Sequence, residues 1–254
     1  MNISIIGSGN VAWHLAKALK ASGNRILQIT GRNELAVCQL ASEVEATPNF
    51  ALRQVNTESD VILLCVKDDA IEAIAGLLPF TNSIVAHSSG FRSKDVLATC
   101  SSQPGIFYPL QTMKKDVPLS FATVPFLIEG NTEATTEKLT LLARQISSSV
   151  HCVSELQRQY IHIAAVFANN FTNHMFELAE NILSSQHISL DILRPLIAQS
   201  AENIQHNSPS KLQTGPAVRK DFFTIEEHLK LLSAEAEMTK IYSIVTESIF
   251  KNHQ

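Results

Sequence analysis

The sequence is poor in the features that mark a membrane protein, a nucleic-acid binder or a metalloprotein. No apolar run reaches the roughly 18 residues that span a bilayer. The amino terminus, Met1-Asn2-Ile3-Ser4-Ile5-Ile6-Gly7, places no basic segment before its short apolar stretch, so that stretch reads as a strand and not as a signal peptide. Lys and Arg total 20 against 24 Asp and Glu, with no basic block. That balance lacks the electrostatic footprint that binding to a phosphate backbone requires. The four cysteines, Cys38, Cys65, Cys100 and Cys152, form no CxxC pair and have no histidine at ligand spacing, which argues against structural zinc. Without a secretory leader they are expected to be reduced thiols of a cytoplasmic protein, in which the sequons at Asn2 and Asn170 carry no meaning. No internal repeat or low-complexity segment interrupts the 254 residues, a length that fits one large or two small domains.

Glycine is scarce in one region only: of nine, eight lie at or before Gly130 and Gly215 alone follows. The asymmetry separates two architectures. Up to about residue 150, short apolar runs alternate with helix-length stretches. Ile3 to Ile6, Ile26 to Ile29, Val61 to Val66, Ile84 to Ala86 and Phe126 to Ile128 read as strands. Val11 to Ala21, Glu34 to Glu43 and Asp69 to Leu78 read as crossover helices, with Gly23 and Pro79 as stops. Strands alternating with helices predict a doubly wound, parallel α/β sheet. Beyond it, Ser154-Glu155-Leu156-Gln157 is a capping box, and no Gly or Pro follows before about Ser185. A helix about 48 Å long is predicted at 1.5 Å per residue. Leu190 to Gln205 reads as a further helix, and Thr224-Ile225-Glu226-Glu227 as the box of a last one running to about Phe250. The chain is therefore expected to divide into residues 1–152, α/β, and residues 153–254, all-α.

The strongest local signal is Gly7-Ser8-Gly9-Asn10-Val11-Ala12, the GxGxxA form of the dinucleotide fingerprint, placed after a strand and opening a helix. The first glycine permits a tight turn, the second lets backbone approach a pyrophosphate, and Ala12 lets helix and strand pack closely. Gly7, Ser8, Gly9, Asn10 and Val11 are thus cofactor-binding candidates, on what reads as a Rossmann domain. An NAD site would carry an acid at the end of the second strand to bind the ribose hydroxyls. This chain has Thr30-Gly31-Arg32-Asn33 there, and the Arg32 guanidinium suits a 2′-phosphate, so NADP is the expected cofactor, with Arg32 and Asn33 at its adenosine end.

Two later strand ends should face the nicotinamide half: Cys65-Val66-Lys67-Asp68-Asp69 and Ala86-His87-Ser88-Ser89-Gly90. Val66, Lys67 and Ser88 are cofactor candidates there, although Lys67 also reads as a solvated side chain. His87 is a candidate proton donor, and equally part of an ordinary polar turn. On the long helix, Tyr160 to Asn170 is an apolar stretch whose His162 and Asn169 need partners if buried. They serve either as substrate-side catalytic groups or as a core or interface pair. Seven residues apart, they sit about 10.5 Å from each other along the axis. Thr214-Gly215-Pro216-Ala217-Val218-Arg219-Lys220-Asp221 reads either as a loop that meets a carboxylate or as a cap on the helices.

Together, the fingerprint with Asn10, the missing acid, Asp68-Asp69-Ala70-Ile71, His87-Ser88-Ser89-Gly90, Tyr108-Pro109-Leu110-Gln111-Thr112 and Thr214 to Asp221 resemble one family. It is the Rossmann-like NADP-oxidoreductase family with a helical carboxyl-terminal domain of unknown function. More distantly the chain is similar to pyrroline-5-carboxylate reductases, deazaflavin-dependent NADP oxidoreductases and β-hydroxyacid dehydrogenases. The resemblance covers nearly the whole chain. It implies NADP binding, a homodimer through the helices, and hydride transfer to or from a small carbonyl, imine or alcohol, ketopantoate included. It also exposes a departure: where the dehydrogenases carry a catalytic lysine, three or four residues before asparagine, this chain has Val166. His162, His87 or Tyr108 is left to move the proton. The other reading is an NADP-binding sensor without turnover.

Overall fold

Alternation along the predicted strands decides which layer each side chain joins, since successive residues of a strand face opposite ways. In the computed structural model, which describes residues 1–253, Ile3, Ile5, Val61, Leu63, Ile84 and Ala86 enter one apolar cluster. Their neighbours Ile6, Ile62, Leu64 and Val85 enter a second. A sheet buried on both faces is the result.

The elements run β1 (Asn2–Ile6), α1 (Asn10–Ala21), β2 (Arg25–Thr30), α2 (Glu34–Val44), β3 (Thr47–Asn49), β4 (Val61–Leu64), α3 (Ile71–Ala75), β5 (Thr81–His87), β6 (Ser101–Pro109), β7 (Phe126–Gly130), α4 (Glu133–Arg144) and β8 (Val150–Cys152). The strand order is β3-β2-β1-β4-β5-β6-β7-β8. Every pairing is parallel except β6 with β7. The order reverses between β1 and β4, so a crevice opens past their carboxyl ends, where ligands of doubly wound sheets bind. Helices α1, α2 and α4 cover one face with Leu15, Leu19, Leu40, Leu139 and Leu142, all fully buried. The other face meets Ile71 of α3 and Leu97 of a short 3-10 turn.

Strands β3, β6 and β8 are absent from the sequence reading. β6 hides because Ser101, Ser102, Gln103, Pro104 and Gly105 break its apolar pattern, although Phe107 inside it stacks on Phe126 with ring centroids 5.0 Å apart. β3 and β8 have three residues each, too few to show a period.

The capping box closes as predicted. Ser154 N–H donates to Gln157 Oε1 at 2.9 Å and Gln157 N–H to Ser154 Oγ at 3.3 Å, opening α5 (Glu155–Ala165). The long helix then departs from regularity: Val166–Phe171 is a π-helix, followed by α6 (Thr172–Ser184). The chain divides into two compact units, Met1–Ala168 and Asn169–Gln254, so α5 belongs with the sheet although strands stop at Cys152.

The second unit continues with α7 (Arg194–His206), α8 (Pro209–Leu212), α9 (Pro216–Arg219), α10 (Phe222–Leu231) and α11 (Ala236–Asn252). The predicted last helix is two. Asp221, not Thr224, caps α10, because its carboxylate accepts from Thr224 N–H at 3.1 Å and from Thr224 Oγ1 at 2.8 Å. The break after Leu231 carries no Gly or Pro; Thr239 Oγ1 donates to the Leu232 carbonyl across it at 2.8 Å. Among the described residues of this unit, Ala217 and Ile225 are the buried ones. Phe223, Leu231, Ile192 and Leu196 lie exposed.

Candidate active site

Gly7 takes a left-handed φ of +121°, and a Cβ there would stand 2.2 Å from the Cys65 carbonyl oxygen and 3.5 Å from Val66. Only glycine lets the turn after β1 close against the end of β4. The turn is also tied to β2, since Gly7 N–H donates to the Thr30 carbonyl at 2.7 Å. Gly9 faces open space and is the N-cap of α1, with no side chain to satisfy the first amides of the helix. An uncapped helix start beside an open glycine is a cradle for a phosphate anion. Ser8 lies beside Gly31, Val11 is half-buried, and Asn10 accepts from Lys115 N–H at 3.2 Å. Arg32 is exposed just beyond Gly31. Asn33 is the N-cap of α2, its Oδ1 accepting from Ala36 N–H at 3.1 Å, so that oxygen serves the helix. Lys67 is exposed and Val66 half-buried. Ser88 is tied to β4, with its N–H 3.1 Å and its Oγ 3.4 Å from the Leu64 carbonyl.

Of the two readings of His87, its geometry supports the polar turn. Its ring is fully buried, Nδ1 accepts from Ser89 N–H at 3.2 Å, and Nε2 lies 3.2 Å from the Ser93 carbonyl. A backbone N–H can only donate and a carbonyl can only accept, so the tautomer is fixed with the proton on Nε2. Burial pushes its pKa down to about 4. Both nitrogens are consumed in shaping the loop, and none is left for a substrate. Within the same loop, Ser89 Oγ donates to Asp68 at 2.6 Å and accepts from Phe91 and Arg92 N–H.

Chemistry gathers one residue further on. Tyr108, near the carboxyl end of β6, places its hydroxyl 3.0 Å from Nδ1 of His162 on α5, with the rings edge to face. Both rings rest on buried Gly90: a Cβ there would stand 2.5 Å from His162 Nδ1 and 2.9 Å from Tyr108 Cε1. Burial, reinforced by the Asp68 charge, raises the Tyr108 phenol to about 12. Asn169 lies in the π-helix, as the first residue of the second unit.

Sequence reasoning missed Arg158, which is fully buried on α5. Its guanidinium donates from Nη1 and Nη2 to the Arg92 carbonyl at 3.1 and 2.9 Å and from Nη1 to the Gly90 carbonyl at 3.4 Å. Glu129 on β7 stands 3.5 Å away and is held by Lys94 at 2.8 Å. The available signal was its place four residues before His162, on the same helix face. The Thr214–Asp221 motif forms a corner: Gly215 at φ +105° precedes α9, Lys220 is left-handed, and Asp221 caps α10. Among the described residues, no three or more His, Cys, Asp or Glu are grouped to hold a metal ion, and no helix is long and apolar enough to cross a membrane.

A doubly wound sheet with an uncapped glycine turn at its switch point, and the Tyr108–His162 hydrogen bond at the same edge, defines a dinucleotide-dependent oxidoreductase of the Rossmann class. Residues 2–87 match the family described as NADP oxidoreductase coenzyme F420-dependent, and residues 124–249 match a domain of unknown function, DUF2520. A structure described as a putative NADP oxidoreductase from Bacteroides fragilis is 33% identical, with a TM-score of 0.90 and 98% of each chain covered. The chain belongs to this family of NADP oxidoreductases with a carboxyl-terminal domain of unknown function. Its fold extends to a pyrroline-5-carboxylate reductase from Streptococcus pyogenes, 16% identical, TM-score 0.65, covering 99% of this chain and 98% of that one. An imine reductase from Myxococcus stipitatus in complex with NADP+ is likewise 16% identical, with TM-score 0.64 and coverage of 99% and 92%. No curated protein matches the chain.

Proposed function

We propose that this oxidoreductase reduces a small imine or carbonyl compound with NADPH, and that Tyr108 and His162 supply the proton. The observation that carries the reading is the Tyr108–His162 hydrogen bond, seated on Gly90 at the sheet edge that also carries the glycine turn. The residues present fit the cofactor: the Gly7–Gly9 turn offers an open, uncapped helix start for the pyrophosphate. Arg32, with no acid between Thr30 and Asn33, suits a 2′-phosphate. Ser8, Asn10, Val11, Val66, Lys67 and the backbone of Ser88 complete the contact. Bound NADPH supplies a hydride to the electron-poor carbon of the substrate.

The protein has to deliver one proton to the nitrogen or oxygen left with the electron pair. A phenol raised to about 12 is a poor acid by itself near neutral pH. Protonated His162 solves this by passing its Nδ1 proton to Tyr108 Oη as Tyr108 releases its own, so no phenolate forms. The imidazole ends neutral and the substrate ends as amine or alcohol.

The test is fluorescence titration with NADPH and NADH, followed by absorbance at 340 nm with a panel of cyclic imines, aldehydes and 2-oxo acids, ketopantoate included. Loss of absorbance with one substrate class supports the reductase; tight NADPH binding without turnover on the panel overturns it in favour of a sensor. Arg32→Ala should weaken NADPH about tenfold or more while sparing NADH, as expected for losing a charged hydrogen-bonded pair worth about 1.5–3 kcal/mol. Equal weakening of both would overturn the phosphate contact.

The proposal includes a homodimer through the helical unit, supported by the exposed Ile192, Leu196, Phe223 and Leu231, and checked by sedimentation. A cytoplasmic site is proposed on the four free thiols, two of them exposed.

A further inference from the structure

Arg158 is expensive where it stands. A fully buried guanidinium loses its water, and burial holds its pKa below the ordinary arginine value. Glu129 repays this only in part: it stands at 3.5 Å, its Oε2 makes no hydrogen bond, and Lys94 takes its other oxygen. Arg158 Nε also has no partner. An apolar side chain of the same volume would give α5 a cheaper anchor.

What the guanidinium provides is geometry. Its two terminal nitrogens reach the carbonyls of Gly90 and Arg92, the backbone directly after the loop that His87 and Ser89 shape. Gly90 is the surface on which Tyr108 and His162 rest, with no room for a methyl group. Arg158 and His162 lie one helical turn apart on the same face of α5. One stretch of helix therefore contributes the imidazole and also grips the backbone that the imidazole leans on. The charges that act on Tyr108 are Asp68, held by Ser89, and Arg158 itself.

We infer that Arg158 is a positioning residue for proton transfer: its fork fixes the Gly90–Arg92 backbone to α5, so that the Tyr108–His162 hydrogen bond keeps one geometry. This rests on the reading of that pair as the proton donor. No other residue on the first unit holds both the loop and the helix in this way among the described hydrogen bonds; Gln159 adds one contact, to the Phe91 carbonyl at 3.1 Å, from a half-buried side chain.

The test uses the full chain with NADP+ bound and nitrogen-15 spectra of its histidine rings, the His162 signals being assigned by their loss in H162Q. R158K keeps the charge but offers one ammonium in place of a planar fork. In the unsubstituted protein the His162 ring is expected as one tautomer with the shift of a hydrogen-bonded Nδ1. In R158K it is expected to exchange between tautomers, with kcat on any substrate of the panel reduced by about a hundredfold, the size of effect a misplaced catalytic group produces, and KM and NADPH affinity little changed. G90A, which leaves Arg158 in place and displaces the rings directly, should reproduce the spectrum, and it decides the matter if R158K does not fold. L142A, a core change in α4 that lowers Tm, should leave the His162 spectrum untouched. An unaltered His162 spectrum in R158K, or the same change in L142A, overturns the inference and makes Arg158 a stabilising residue only. Full turnover in H162Q would defeat the proton-donor reading separately, because the spectrum of R158K still reports whether the fork holds the ring.

Discussion

The first compact unit buries apolar side chains on both faces of an eight-stranded sheet, whereas the second buries only Ala217 and Ile225 among its described residues and leaves many other apolar side chains exposed. Leu63 is 1% exposed and Leu19 fully buried, against 83% for Leu231 and 74% for Phe223. Helices of ordinary length depend on packing more than on propensity for their stability. The contrast supports the proposed homodimer through the helical unit. The same contrast holds for chemistry: every hydrogen bond described around Tyr108, His162 and Gly90 lies within the first unit.

The sharpest way to break this contrast is through the proposed proton donors. Tyr108→Phe and His162→Gln should each lower turnover by about 10²–10⁴, the usual range for a general acid, with NADPH titration and Tm unchanged. A comparable loss on changing a helical-unit residue alone would mean that the chemistry is shared. Next in size, Leu63→Ala should cost about 2–5 kcal/mol in denaturant unfolding, because it opens a cavity in a closed core. Leu196→Ala should stay within about 0.5 kcal/mol in any isolated monomer, and show itself instead in the sedimentation of a dimer.

A third expectation concerns acid. His87 has a folded pKa of about 4, below the ordinary histidine value of 6.5, so the folded state binds fewer protons than the unfolded chain between those values. Its contribution is complete above about pH 6.5 and is lost as pH falls through about 4, in all on the order of 3 kcal/mol. His87→Gln, which keeps an acceptor and a donor but does not titrate, should flatten the pH dependence of unfolding across that window. An unchanged slope would remove His87 from its buried role. A smaller effect than that of His87 belongs to the helical unit: Asp221→Ala removes the cap of α10 and should cost about 1 kcal/mol, read by the loss of helical signal on heating.

What the sequence made legible was local. The glycine turn after β1, the cap at Ser154 and the strands of the first face depend on residues within a few positions of one another, and each lies where its pattern places it. What it concealed was contact at a distance. Tyr108 and His162 are 54 residues apart, and Arg158 and Gly90 are 68 apart, so neither pair leaves a period or a motif behind. His87 shows what residue type alone leaves open: in sequence it reads equally as a proton donor and as part of a polar turn, and in the fold its two nitrogens are spent on Ser89 and Ser93. The π-helix at Val166–Phe171 arises in a stretch with no glycine or proline to announce it.

The distribution of thiols has a practical side. Cys152 is exposed on β8, at one margin of the sheet, and Cys38 is exposed on α2, the helix leading into the opposite margin strand β3, while Cys65 and Cys100 are sealed inside. Burial raises the two inner thiols to about 12 and about 11, which suppresses their thiolates. A donor and an acceptor dye would therefore attach to the two outer sulfurs of the native protein and span the whole width of the sheet, a molecular ruler already in place that lengthens when the strands part.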